Sequence, residues 1–352
     1  MDKISVLVTG IGGGGHGEQI VKALRLGKLS YNIIGTDVTS YCSGRALVNE
    51  FREVPYASSD KYLDIILGIC EEFKIKAIFH GSEQEMVFLG KNRKIFEDLN
   101  IYLPINSEEV FNICQNKVRT MEHLAKLGIN MPKFIKLSKA EDIHVIDFMY
   151  PIIVKPSVGG GGSNNVFVVQ NFSELKNITE FLFKYNAELV LQEYIGTPDN
   201  EFTVGVLFGE DGQLINSIAV KRIIENALSR RTMVPNLTGR TDLGSHLVIS
   251  SGVSSGHIAR WSSVTTICEK IAKSLNPTAP INIQCRKVGN EIIPFEINPR
   301  FSGTTSLRAM VGYNEPDILI RKDILGEKIS THFPYENGII MRGLVEYSLE
   351  EK

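Results

Sequence analysis

The chain has 352 residues, 43% of them apolar and 22% charged, with a net charge of −2. That length fills two or three packed units, and the near-neutral balance gives no reason to expect nucleic acid or an anionic membrane surface as a partner. Five cysteines without CxxC spacing read as reduced, buried thiols, and no apolar run approaches the ~20 residues that span a bilayer, so a cytoplasmic location is expected.

Taken in order, Ile4 to Thr9 is a short β-rich run that enters the glycine turn Gly10 to Gly17. A helix near Glu18 and a second strand, Asn32 to Asp37, complete a βαβ unit that opens a doubly wound sheet. Asp37 sits where a dinucleotide's ribose would be taken, but the glycine spacing is loose. The turn therefore reads either as a cofactor loop or as architecture whose N–H groups line a cleft. Further strands are expected at Ala77 to His80 and Ile101 to Pro104, with helices over 60–73 and 84–99. Glu83 and Glu85 follow a strand's carboxyl end, placed either to meet a substrate amine or to charge the first turn of a helix. Ser107 caps another helix, and Lys117 further along would on its own be a solvated helical lysine.

After Pro132 a small α/β lid is expected. Its strand Pro151 to Pro156 holds Lys155, an ammonium in a buried setting that calls for an anion. Ser157 to Asn165 follows, with four successive glycines (Gly159, Gly160, Gly161, Gly162) before Ser163. Such a run costs backbone entropy and makes sense as a flap whose amides close over phosphates. No Gly-Lys-Ser/Thr follows, so it is no Walker loop. Glu188 to Ile195 is an apolar strand that turns polar at Gln192 and Glu193, where Glu193 and the main chain of Tyr194 and Ile195 can present donors and acceptors to a purine. Glu201 opens a strand that runs to Phe208. Leu214 to Ile223 returns around Glu210-Asp211-Gly212, ending in Lys221 and Arg222, either of which can face an acidic group. Residues 224–256 form a long polar stretch expected to set specificity, and His257 to Leu275 reads as a helix.

Ile281 to Arg308 carries the strongest signal. Two strands joined at Gly289-Asn290 lead into a small-residue loop and a helix. Glu296, Asn298 and Arg300 share one face, as do Asn282, Gln284 and Arg286 on the facing strand. A two-residue turn would pair Gln284 with Phe295, so convergence of Gln284 on Glu296 requires a bulge, expected near 287–291. Oxygen ligands without Cys or His suit Mg²⁺, and Arg300 offers a fork to a phosphoryl group. Arg308, in the helix that follows, is placed to help bind an anionic substrate. A helix over 317–326 and a last strand over 338–347 close the chain.

The setting NIQ…FEINPR, with Gln284, Glu296, Asn298 and Arg300, resembles the metal-and-phosphate motif of the ATP-grasp superfamily, most nearly an ATP-grasp unit of the carbamoyl-phosphate synthetase large subunit. The VKP strand with its glycine flap, the helix bearing Lys117 (preceded by Asn116 where the family has an acid) and the hinge at Glu193 extend the resemblance over nearly the whole chain. It implies an α/β architecture: a Rossmann-like pre-ATP-grasp domain (1–106), a connecting helix region (107–132), then a two-lobed α+β ATP-grasp domain with lid (133–192) and C-terminal catalytic subdomain (193–352). It implies Glu296 bridging two Mg²⁺ ions (Mn²⁺ an admissible substitute), with Gln284 and Asn298 each completing one. Arg300 and Lys155 then act on phosphate or acyl phosphate, Lys117 and Ser157 to Ser163 hold phosphates, Gln192 to Ile195 hold adenine, and Glu201 holds ribose. Glu83, Arg222 and Arg308 remain substrate candidates. The implied activity is an ADP-forming ligase joining a small-molecule carboxylate to an amine or ammonia through an acyl phosphate, in a monomer or homodimer. A kinase on the same fold and an NAD(P)-dependent oxidoreductase built on the glycine turn stay open as alternatives.

Overall fold

The computed structural model describes residues 3–145, 147, 149–159 and 161–349, so Gly160 lies outside the described residues. The N-terminal sheet is parallel, with strands in the order Glu50–Glu53, Tyr31–Asp37, Ile4–Val8, Ala77–Phe79. The order reverses between the last two, which places Gly10 to Gly17 and His80 to Glu83 together at the switch point where such sheets take ligands. The expected strand 101–104 joins through Tyr102 alone, because Pro104 has no N–H to carry the ladder on. The expected helix 84–99 is two, Glu83–Lys91 and Arg93–Asp98, broken at Asn92, whose side chain turns back to the Phe88 carbonyl.

Helices Glu108–Gln115 and Lys117–Lys126 follow, capped by Ser107 and Asn116. Their apolar faces (Val110, Cys114, Met121, Leu124) pack into one core with Phe202, Val204 and Ile283 of the central sheet. The lid has its own small core around Leu137, Ile152, Leu175 and Leu191 under an antiparallel sheet ordered Phe134–Leu137, Leu189–Glu193, Ile152–Pro156, Phe167–Val169.

The central sheet is antiparallel, in the order Glu291–Asn298, Ile281–Val288, Glu201–Phe208, Leu214–Ile223, Ser255–Ile258, Gly338–Ile340. A further core runs from Val6 and Phe79 of the N-terminal sheet to Ile218, Phe301 and Tyr313, so the glycine turn is held against the loop after Arg300. Three expectations change here. Residues 255–258 are a strand, paired with 220–223, and the helix starts only at Ser262. The polar stretch 224–256 folds into an antiparallel ribbon, Arg230–Pro235 against His246–Ser250. The last strand stops at Ile340, because the Arg342 N–H turns aside to Ser255 Oγ. Among the described residues no helix is long and apolar enough to cross a membrane, and all five cysteines are buried and unpaired.

Candidate active site

The ladder of the 281–298 hairpin starts at Val288 opposite Glu291 and runs in step to Cys285 opposite Pro294, after which Phe295 is skipped and Gln284 faces Glu296. The bulge is thus present, but at Phe295 and not at 287–291. Pro294 is the cause: it lacks an N–H, and a bulge on an edge strand is where a sheet accepts it. Gln284 Nε2 consequently donates to Glu296 Oε2 at 2.9 Å. Two residues on, Arg300 Nη2 donates to Asn298 Oδ1 at 3.2 Å and lies 3.5 Å from Glu83 Oε1, which brings the N-terminal unit to the motif. Glu296 with the side-chain amides of Gln284 and Asn298 supplies the hard oxygen donors that Mg²⁺ takes beside substrate phosphates, so the residue types fit that ion; here the two amide oxygens accept from Arg222 at 3.4 Å and Arg300 at 3.2 Å.

Above this strand stand two lysines. Lys155 is buried, donates to Gln192 Oε1 at 2.7 Å, and is pushed down to about 7 by burial first and by Lys117 second, with Glu296 pulling the other way. Lys117, in the first turn of its helix, donates to the Gly159 carbonyl at 2.6 Å and is likewise lowered by burial against the pull of Glu296 and Glu83. Both ammoniums are held by neutral acceptors, an arrangement that an anion would complete. The flap bends through positive φ at Gly159 (80°) and Gly162 (66°), where nothing crowds a Cβ and only the backbone angle demands glycine. It is pinned to the ribbon: Arg231 Nε donates to the Gly162 carbonyl at 3.1 Å and Ser163 Oγ to the Ser250 carbonyl at 2.8 Å. Ser157 is buried and anchors the flap's start, its carbonyl accepting from the Lys117 N–H at 2.8 Å.

Below the strand lies a buried charge cluster. Arg222, Glu201 and Arg286 stand on three neighbouring strands, with Glu201 Oε1 2.8 Å from Arg222 Nη1 and Oε2 3.0 Å from Arg286 Nη2. Ser250 Oγ adds a third donor to Glu201 at 2.5 Å. Burial alone would raise the Glu201 carboxyl, but Arg286 and Arg222 outweigh it and hold it below the usual carboxylate range. Arg286 also donates to the Ile195 carbonyl at 2.9 Å and covers the Tyr194 ring at 4.6 Å, so it fixes the hinge.

Two cavities meet here. One, between lid and central sheet, is lined by Lys155, Glu193, Ile195, Arg286 and Phe295 among others. The second, of about 600 Å³, is lined by the turn Gly13 to His16, by Arg222, Arg300, Gly303 and by Arg342. Ser163, Gln284 and Glu296 belong to both.

Not every expected residue reaches these cavities. Arg308 is fully buried and turned away, donating to Glu315 Oε1 at 3.0 Å and Asn282 Oδ1 at 2.7 Å over Gly205, whose missing side chain makes the room. Glu85 is spent on the Tyr62 hydroxyl at 3.0 Å and Ser82 at 2.8 Å. Asp37 accepts from the Gly12 and Val38 N–H groups at 2.7 and 2.9 Å, so it ties the glycine turn. The Tyr194 hydroxyl is engaged with Val248 and its N–H donates to the Pro151 carbonyl at 3.3 Å, which leaves its carbonyl for a ligand. Three residues carry no role in the sequence pattern: Arg286, His16 and Arg342. Alternation along 282–286 was the available signal for Arg286; the others are brought in only by tertiary folding.

Residues 114–304 match the ATP-grasp domain family, and the chain belongs to it. Residues 6–104 match the PylC-like N-terminal domain. Among curated relatives, D-alanine–D-alanine ligase A of Bacillus cereus is 28% identical over 181 residues, 50% of this chain and 56% of the relative. D-Alanine–D-alanine ligase of Bacillus anthracis is 26% identical over 211 residues, 57% of this chain and 66% of the relative. The chain thus spans between about half and two thirds of the length of these relatives. The same fold occurs in N5-carboxyaminoimidazole synthetase of Staphylococcus aureus, with a TM-score of 0.64 at 17% identity, covering 96% of this chain and 81% of that one. It recurs in L-amino acid ligase of Bacillus licheniformis, with a TM-score of 0.61 at 17% identity over 91% of this chain and 74% of that one.

Proposed function

We propose that this chain is an ATP- and Mg²⁺-dependent ligase that joins a carboxylate to an amine or ammonia and releases ADP and phosphate. One observation carries the reading: the two cavities touch at Ser163, Gln284 and Glu296, so a nucleotide under the lid would present its terminal phosphate to whatever fills the second cavity. The names of the relatives, several of them amino-acid ligases, point the same way.

In this reading a carboxylate oxygen in the second cavity attacks the γ-phosphorus in line. The bond to the bridging oxygen breaks, and ADP carries off that electron pair. An amine lone pair then attacks the acyl carbon, the C–O bond to phosphate breaks, and the amine's proton is lost to solvent or phosphate. No protein nucleophile is needed, since positioning and charge carry phosphoryl transfer. Lys155 and Lys117 meet the phosphates, and their lowered proton affinity recovers as that charge arrives. The flap from Ser157 to Ser163 covers the phosphates and excludes water. Gln192 holds Lys155 in place, while Glu193 and the main chain of Tyr194 and Ile195 take the adenine edge. Arg300 faces the phosphoryl group as it moves, steadied by Glu83. Glu201, expected on the ribose, is saturated by its two arginines, so its part is to fix Arg222 and the hinge. Glu296, with Gln284 and Asn298, would hold two Mg²⁺ ions, which when bound neutralise phosphate charge.

The test is ADP release from Mg–ATP across pairs drawn from a panel of amino acids, carboxylic acids and ammonia, with mass analysis of products. Release that needs both an acid and an amine, with an amide product, is expected. A stable phosphorylated product formed from one substrate alone would replace the ligase with a kinase.

A further inference from the structure

The three residues of the donor set are not equally open to an ion. Gln284 and Glu296 border both cavities, whereas Asn298 is buried and, among the described residues, borders neither. Arg300 is the reason. It borders the second cavity two residues further on, and its Nη2 donates to Asn298 Oδ1 at 3.2 Å. No other hydrogen bond ties the Asn298 side chain among the described residues, and its Nδ2 is buried without a partner. The amide thus gives its oxygen to a guanidinium, and nothing else fixes which way it faces. Mg²⁺ sits about 2.1 Å from its oxygens, so an ion on Asn298 Oδ1 would lie beside the Arg300 charge and be repelled by it.

The two arginines on the donor set differ in how firmly they are held. Arg222 reaches Gln284 Oε1 at 3.4 Å, but the same Nη1 is clamped by Glu201 Oε1 and Ser250 Oγ, each at 2.8 Å, and its Nε by Ser254 Oγ at 3.0 Å. Besides Asn298, Arg300 has the Phe301 carbonyl at 3.0 Å and Glu83 at 3.5 Å, and its Nε has no partner among the described residues. Arg300 is therefore the one that can turn when a better acceptor arrives. The wall of the second cavity also carries Arg222, Arg230, Arg231 and Arg342 against two acids, Glu18 and Glu296. A bare divalent cation meets a cationic wall there, and a phosphate meets an attractive one.

We infer that Arg300 withholds the Asn298 oxygen from divalent metal until a nucleotide's phosphates draw the guanidinium away, so that this part of the metal site completes only after the nucleotide has bound. The inference rests on the ligase reading, which supplies the phosphates. One movement then does two things: it frees a ligand oxygen and delivers the Arg300 fork to the phosphoryl group. Towards the metal, Arg300 is a positioning residue that acts through Asn298.

The test is Mn²⁺ binding to the full chain, read from the electron paramagnetic resonance of the free ion, with and without the nonhydrolysable nucleotide AMP-PNP. Without nucleotide the wild type should bind Mn²⁺ weakly. Arg300→Met, which keeps the stem of the side chain and drops its charge, should bind the ion on the order of tenfold more tightly. Adding Asn298→Ala to Arg300→Met should abolish that gain. Asn298→Ala alone should leave nucleotide-free binding as in the wild type and weaken Mn²⁺ in the AMP-PNP complex. No gain in Arg300→Met would overturn the inference. A gain that survives the loss of Asn298 would also overturn it, because removal of charge alone would then explain the effect. So would undiminished Mn²⁺ binding in the AMP-PNP complex of Asn298→Ala. Should Arg300→Met fail to fold, Arg300→Lys decides: its ammonium lacks the planar fork, and a smaller gain of the same sign is expected. Failure of the wild type to bind AMP-PNP with Mn²⁺ at all would remove the ligase reading itself, a result distinct from all of these.

Discussion

The two cavities that meet at Glu296 are built by different means. Around the cavity under the lid the charged residues stand side by side on adjacent strands: Arg222, Glu201 and Arg286 pair across neighbours, and Gln284 pairs with Glu296 directly across the hairpin. The second cavity is gathered from the glycine turn, the loop after Arg300 and Arg342, pieces separated by most of the chain. Three polar atoms on residues that border it, His16 Nε2, Arg300 Nε and Arg342 Nη1, are buried and unpartnered among the described residues. The lesson is one of preorganisation. The Glu201 cluster spends its charges on itself and holds a fixed shape, whereas Lys155 and Lys117 in the first cavity and Arg342 beside the second are held by neutral acceptors.

The comparison is broken most directly at the junction. Glu296→Ala removes the one carboxylate of the donor set, and turnover should fall by about 10³-fold or more while circular dichroism and melting stay near wild type. Activity within tenfold of wild type would mean that the cavities do not communicate through this residue.

Next in size is Glu201→Ala, which leaves two buried guanidiniums facing each other. A loss of about 3–5 kcal/mol is expected, a fall in Tm on the order of 10 °C. Because the folded carboxyl is held low, its stabilisation is full above the ordinary carboxylate range and fades as pH drops through the lowered value. The wild type should therefore lose stability in acid more steeply than the variant, by melting curves across pH. Parallel curves would show that the cluster is not what makes the first region rigid.

Lys155→Met should act in opposite directions on activity and stability. Turnover should fall as a phosphate contact goes, yet the nucleotide-free protein should melt higher. Lys155 titrates near 7 when folded and far higher when unfolded, so its burial costs most below pH 7 and nothing once both states are neutral. The gain, on the order of 5 °C, should be largest in mild acid and vanish in strong base. A variant less stable than wild type at pH 6 would show the lysine to be satisfied without phosphate.

How much of this was legible in the sequence follows the same divide. Gln284, Glu296, Asn298 and Arg300 lie within two strands, so alternation places them on one face, and residue spacing across the two-residue turn by itself demands a bulge. Its position was marked only by Pro294, whose missing N–H suits a bulge on an edge strand, and the expectation followed the turn instead. Lys155 declared itself as a charge in an apolar strand. Glu201 did not, because only strand neighbours reveal that its oxygens are taken by Arg222 and Arg286. Arg308 looked like an anion site from its place after the loop, and the partner that absorbs it, Glu315, sits one turn beyond its helix. His16 and Arg342 lie far apart in the chain, and periodicity could not join them. The ribbon 230–250 escaped for another reason: Leu247, Val248 and Ile249 are apolar in succession and all buried, so no alternation marks the strand.

That ribbon allows the finest test of where one region ends and the other begins. The flap is tied to it by Arg231 to the Gly162 carbonyl and Ser163 to the Ser250 carbonyl, and the lid by Gln170 to the Pro235 carbonyl at 3.0 Å. Arg231 is an exposed side chain giving one hydrogen bond among these, so Arg231→Ala should cost the flap no more than about 1 kcal/mol. If the latch serves the nucleotide, KM for ATP should rise roughly two- to fivefold, with kcat within twofold and Tm unchanged, because a looser flap weakens ground-state and transition-state binding alike. Yet Arg231 also borders the second cavity. A rise in KM for the acid or amine, with that for ATP unmoved, would assign it there, and the cationic wall beside Arg342 would then extend up to the flap itself.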